Sequence, residues 1–76
     1  MKPVLHILHN LRPEFDFQTS NDFIGDGLLD SLDVVTLVSD LDRTFGISID
    51  GVDILPEHFC NLAAIEALLA NYGVNP

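Results

Sequence analysis

The chain predicts an all-α fold: a small four-helix bundle of three main helices and one short one, with a long first loop. Two observations carry that prediction. Apolar residues recur at helical spacing in three separate stretches, and nothing alternates with the two-residue period of a half-buried strand over a useful length. Hairpin dipeptides such as Asn-Gly are missing as well. At 76 residues, with 47% hydrophobic content, the chain is near the size at which one core is only just sufficient. It is read as a single domain over 1–76.

The first helix rests on Val4, Ile7, Leu8 and Leu11, with Pro3 suited to a first-turn position and Pro13 ending the run. A long connection follows, from about Pro13 to Leu29. Loops of that length are uncommon without a function or packing of their own. Phe15, Phe17, Phe23, Ile24, Leu28 and Leu29 are expected to pin it to the core.

The second helix is predicted from about Ser31 to Thr44 or Phe45, with Gly46 as its stop. Val34, Val38, Leu41 and Phe45, with Leu37 beside them, form one buried stripe. At about 100° per residue, Val35 lies well off that stripe and Leu32 almost opposite it. These two apolar residues are left without a core to enter.

Ile47 and Ile49 read as a short extended segment. Pro56 starts a brief helix around Pro56 to Phe59. Asn61 then caps the last helix, whose apolar face is Leu62, Ile65, Leu68, Leu69 and Tyr72, and Gly73 stops it.

Acidity is the strongest bulk feature. Asp and Glu number 12 against 3 Lys and Arg, for a net charge of −9. Such a molecule is repelled by phosphate backbones and anionic membrane surfaces and attracted to cationic protein surfaces. Nucleic acid is therefore excluded as a partner, and no run is long enough to insert into a membrane. The single cysteine, Cys60, allows no internal disulfide and fits a reducing compartment. The start, MKPVLHILHNLRPEF, lacks a small-residue cleavage site. Cytoplasmic location is the expectation.

Metal and thiol chemistry find little support. Asp22, Asp26, Gly27, Leu29 and Asp33 fall on positions of an EF-hand loop, but Ile24 offers no ligand at the third position and the twelfth is Asp rather than Glu. His6 and His9 share a helix face with no further ligand to complete a zinc site. His58 and Cys60 lack a third group, so Cys60 is read as structural. No metal is expected.

The informative stretch is GLLDSLDVVTL, Gly27 to Leu37. Asp30 with Asp33 three residues on can form a capping box, with both carboxylates favoured at the positive helix end. Ser31 would then take the first helical position with its hydroxyl free. The same residues also allow Ser31 to be the N-cap, with Asp30 an electrostatic helper. No nearby base makes Ser31 a nucleophile. A phosphate attached there would be stabilised by free backbone amides, so Ser31 reads as a residue acted upon by another enzyme.

Asp30-Ser31-Leu32, preceded by Gly27-Leu28-Leu29 and followed by a helix ending Phe45-Gly46-Ile47, resembles the attachment motif of acyl carrier proteins. The later stretch Pro56-Glu57-His58-Phe59-Cys60-Asn61-Leu62 looks more like discrete peptidyl, aminoacyl or D-alanyl carriers than fatty-acid carriers. The resemblance implies that Ser31 receives 4′-phosphopantetheine from coenzyme A, with Asp30 and Leu32 as motif neighbours. A phosphopantetheinyl transferase would attach it, and the arm's thiol would shuttle an acyl or aminoacyl thioester between enzymes of a biosynthetic pathway. The carrier itself is then no enzyme, and a monomer is the expected state. Its partners are the transferase, a loading enzyme and downstream acceptor enzymes.

Their docking face is expected on the first half of the second helix. Leu32 and Val35 form its apolar centre, with Asp33 and Asp40 as flanking anions and Thr36 and Ser39 on the same face. Thr36 and Ser39 stand where fatty-acid carriers commonly have an acidic and a large apolar residue, which weighs against fatty-acid synthase partners. The alternative reading is an acidic helical interaction adaptor without a prosthetic group.

Overall fold

The structure is a computed structural model that describes residues 2–74; of the expected single unit over 1–76, residues 1, 75 and 76 lie outside the described residues. Three α-helices carry it: α1 over Lys2–Leu11, α2 over Ser31–Phe45 and α3 over Leu62–Asn71. No strand occurs among the described residues. The brief helix expected at Pro56 is a 3₁₀ turn over Pro56–His58, with Pro56 in its first turn. A second 3₁₀ turn, Gly51–Asp53, was not anticipated; Asp50 opens it, its side chain accepting from the Val52 amide.

Each helix starts and stops where local chemistry dictates. α2 ends on Gly46 at φ 66°, with the Ile47 amide bonded back to the Asp42 carbonyl at 3.0 Å. α3 begins under Asn61, whose Oδ1 accepts from the Ala64 amide at 2.7 Å. It closes with Val74 N–H on the Leu69 carbonyl and Gly73 N–H on that of Ala70, the paired bonds that a left-handed glycine permits.

The α2 stripe is buried as its spacing predicts. Val34, Leu37, Val38 and Leu41 are all inside, and Phe45 is half-buried at the end. Val4, Ile7 and Leu8 of α1 pack on this face, while α3 brings Ile65, Leu68 and Leu69 and packs on the Pro56–His58 turn. Burial of this kind stabilises by about 25 cal/mol per Å² of apolar surface removed from water, and it holds helices too short to persist alone.

The long connection is ordered by the same core. Phe17, Phe23 and Leu29 are buried, with Phe15, Ile24 and Leu28 packed against them. The Phe17 and Phe23 rings meet edge to face with centroids 5.0 Å apart, the geometry that aromatic quadrupoles favour. The Phe23 carbonyl accepts from both the Leu28 and Leu29 amides, which folds the chain back just before α2.

On the other side of α2, the Asp42 carboxylate accepts from the Ile49 amide at 2.9 Å and holds the extended segment after the helix. The Tyr72 hydroxyl donates to Asp53 Oδ2 at 2.6 Å and accepts from the Asp50 amide at 2.9 Å. The end of α3 is thereby tied to the first 3₁₀ turn. No helix among the described residues is long and apolar enough to cross a membrane.

Candidate functional site

The candidate site is the N-terminus of α2, where the long loop delivers the chain. Gly27, at φ 80°, makes the turn that a side chain would strain. Asp30 follows in an extended conformation as the N-cap. Its Oδ1 accepts from the Asp33 amide at 2.8 Å, and Asp33 Oδ2 accepts from the Asp30 amide at 3.2 Å. This is the reciprocal capping box, and it decides between the two readings of the sequence. Asp30 caps, and Ser31 is the first helical residue, exposed to solvent.

The Ser31 hydroxyl is thus spared from capping. By helix geometry the first-turn amides, those of Ser31 and Leu32 among them, have no carbonyl four residues back within α2. They and the helix dipole favour an anion at this end. Beside Ser31 runs a groove of about 280 Å³ lined by Ile24, Asp30, Val34, Val35, Ile54 and Pro56. It joins the loop, α2 and the segment between the two 3₁₀ turns. A phosphodiester on an exposed serine, with a chain leading from it, fits this arrangement: hydroxyl outside, amides beneath, apolar wall alongside.

Of the expected docking residues, Leu32 and Val35 are 76% and 58% exposed. Thr36 and Ser39 are exposed on the same side, and the Thr36 hydroxyl donates to the Leu32 carbonyl at 3.1 Å. Asp40 is half-buried and pairs with Arg43 at 2.9 Å. Asp33 is a correction. It was expected as an exposed flanking anion, yet its side chain turns inward and the residue is only 9% exposed. The cause is Arg12, whose Nε and Nη2 both donate to Asp33 Oδ2, at 3.0 and 2.8 Å. Burial pushes the Asp33 carboxyl up, but the Arg12 hydrogen bond, the Asp30 backbone N–H and the Arg12 charge outweigh it. The group is held below the ordinary carboxylate range.

Sequence reasoning left Arg12 out of the site, because an ion pair 21 residues apart leaves no periodic signal. Val52 and Leu55 of the neighbouring segment, not singled out in the sequence, are 75% and 40% exposed. Their signal was present: apolar residues in a turn-rich segment have no helical face on which to hide.

The other candidate clusters disperse. Asp26 accepts from Ser20 Oγ at 2.7 Å and Asp22 from the Gly25 amide at 2.9 Å, while Asp33 is held by Arg12. His6 and His9 are exposed on α1. His58 Nδ1 pairs with the Asp53 carbonyl at 2.7 Å, and Cys60 Sγ donates to the Glu57 carbonyl at 3.4 Å. No group of three or more His, Cys, Asp or Glu that could hold a metal occurs among the described residues.

An all-helical bundle with a freed serine at the start of its second helix is the arrangement of a carrier domain. Residues 11–69 match the family of the phosphopantetheine attachment site. The chain belongs to that family, within the acyl carrier protein superfamily. No curated protein and no solved structure matched it. The family carries 4′-phosphopantetheine covalently, and its domains carry acyl groups without being catalysts. The adaptor reading without a prosthetic group is thereby set aside.

Proposed function

We propose that Ser31 is the residue that takes 4′-phosphopantetheine, and that the protein shuttles a thioester-linked acyl or aminoacyl group between enzymes of a biosynthetic pathway. The observation that carries this reading is the division of labour at α2: Asp30 and Asp33 cap the helix between them, so the exposed Ser31 hydroxyl is free for chemistry. In the transfer, a bond forms between Ser31 Oγ and the β-phosphorus of coenzyme A. The phosphoanhydride bond from that phosphorus to the bridging oxygen breaks, 3′,5′-adenosine bisphosphate leaves with that oxygen, and the serine proton passes to a base on the transferase. When attached, the arm supplies the thiol that holds the cargo. This chain's own residues present the hydroxyl, place amides under the phosphodiester and offer the groove walled by Ile24, Val35 and Ile54.

The Pro56–Leu62 stretch supports a peptidyl, aminoacyl or D-alanyl type of cargo over a fatty acyl chain. Transferase, loading enzyme and acceptor enzymes dock on the exposed residues Leu32, Val35, Thr36 and Ser39, together with the half-buried Asp40. The protein works as a cytoplasmic monomer. Incubation with coenzyme A, magnesium and a broad-specificity transferase tests the central claim by intact mass. One phosphopantetheinyl addition is expected on the wild type and none on Ser31→Ala. An alanine variant that still gains the arm moves the site elsewhere.

A further inference from the structure

Arg12 sits at the end of α1, its amide continuing the helical ladder onto the Leu8 carbonyl at 2.9 Å. From there its guanidinium crosses the mouth of the long loop to the first turn of α2. Two of its N–H groups converge on Asp33 Oδ2, and Nη2 lies 3.9 Å from Asp30 Oδ2. The same Asp33 oxygen accepts from the Asp30 amide. One carboxylate oxygen therefore joins the end of α1, the N-cap and the turn that begins with Ser31. Turning the Asp33 side chain away would release the Asp30 amide and half of the capping box together.

Closing a long loop at its mouth also restrains the loop itself, since its ends no longer search for one another. Helix first turns otherwise fray readily. A transfer reaction is sensitive to this, because its rate depends on holding the attacking oxygen in line with the phosphorus. Asp33 is almost fully buried, so Arg12 acts inward and is not itself part of the docking stripe.

We propose that Arg12 is a positioning residue for the modification of Ser31, acting through Asp33 to hold the first turn of α2 and the direction of the serine hydroxyl. This rests on the reading of Ser31 as the attachment residue. Arg12 touches neither coenzyme A nor the reacting atoms. The fork geometry matters as much as the charge: a lysine offers a single ammonium where the guanidinium gives two donors from fixed directions.

The test compares wild type, Arg12→Gln, Arg12→Lys, Asp33→Asn and the double variant Arg12→Gln/Asp33→Asn in transferase kinetics with coenzyme A. Amide hydrogen exchange is followed by NMR in parallel. Arg12→Gln should lower kcat on the order of tenfold with a smaller change in KM, because Val35, Thr36 and Ser39 still present the docking stripe. Arg12→Lys should recover part of the loss. Exchange should quicken at Asp33 and Val34 while α3 amides keep their protection, which separates a loosened first turn from general destabilisation. The double variant should be no slower than Asp33→Asn alone, as expected when one residue acts through the other. If Arg12→Gln does not fold, Arg12→Lys carries the same comparison. Wild-type kcat in the folded variants, a loss confined to KM and erased by salt, unchanged first-turn exchange, or additive losses in the double variant would each overturn the proposal. A wild type that takes up no arm overturns the reading of Ser31 as well, which distinguishes the two failures.

Discussion

Asp30 and Asp33 cap one another: each carboxylate accepts the other residue's backbone N–H, at 2.8 and 3.2 Å. The pairing places two like charges within one turn of α2. It is tolerable because both face the positive end of the helix dipole and because Arg12 holds one of them. Its effect on the site is subtractive. Asp30 and Asp33 do the capping between them, and Ser31 takes no part in it.

That division predicts opposite outcomes at adjacent residues. Asp30→Ala removes an N-cap acceptor and should cost about 1 kcal/mol, lowering Tm by roughly 4–8 °C in a domain of this size. Ser31→Ala removes a hydroxyl that caps nothing and should leave Tm nearly unchanged. Thermal melting followed by circular dichroism decides it. An equal loss at Ser31 would return the cap to the serine.

A second prediction concerns pH. The folded-state value of Asp33 is depressed, so its contribution to stability is fully present above the unfolded value, about 3.9. It is lost as pH falls through the lower, folded value. The penalty of Asp33→Asn, measured by urea denaturation, should therefore be flat from pH 8 to 5 and begin to shrink only below about pH 4. A penalty that fades between pH 7 and 5 would mean that Asp33 is not the depressed group.

What the sequence made legible was whatever is periodic or punctuated. Val34, Leu37, Val38 and Leu41 announce a helix face, Gly46 and Gly73 announce the ends of α2 and α3, and Asn61 announces a cap. That the second helix starts at about Ser31 was legible for the same reason, while the sequence leaves open which of Asp30 and Ser31 caps it, and the structure shows Asp30. The contacts made across the fold were not legible. Arg12 reaching Asp33, and Tyr72 reaching Asp53 and Asp50, depend on where the loops deliver two distant residues, and no local spacing encodes that. The error at Asp33 follows directly. Helical phase put it beside Leu32, and only a partner from α1 could turn it inward.

Salt supplies a third prediction. With a net charge of −9 on 76 residues, self-repulsion opposes the compact state, and counterions relieve it. Sodium chloride and magnesium chloride at matched ionic strength should both raise Tm, with the monovalent salt giving most of the effect. Calorimetry with calcium should show no tight stoichiometric site, since Asp22, Asp26 and Asp33 already have other partners. Tight binding abolished by Asp26→Ala and insensitive to salt would contradict this.

The last prediction locates docking. Leu32 and Val35 are largely exposed, so Leu32→Ala and Val35→Ala remove little buried surface and should leave Tm nearly unchanged. If partners cover these side chains, each truncation should cost about 1–2 kcal/mol of productive binding, read as a loss of roughly tenfold in kcat/KM with the transferase or loading enzyme. Asp33→Lys is unsuited to this test, because it would set an ammonium against Arg12 inside the cap. Asp40 is the better charge probe. Its pairing with Arg43 is a surface contact between neighbouring turns, and such pairs contribute little to stability. Asp40→Lys should lower kcat/KM most strongly at low salt, since rim charges act mainly on the association rate. The dependence should weaken as ionic strength rises, while the Leu32 and Val35 effects persist. Three folded variants with wild-type kinetics against every partner tried would shift the docking face to the exposed Val52 and Leu55 on the neighbouring turns.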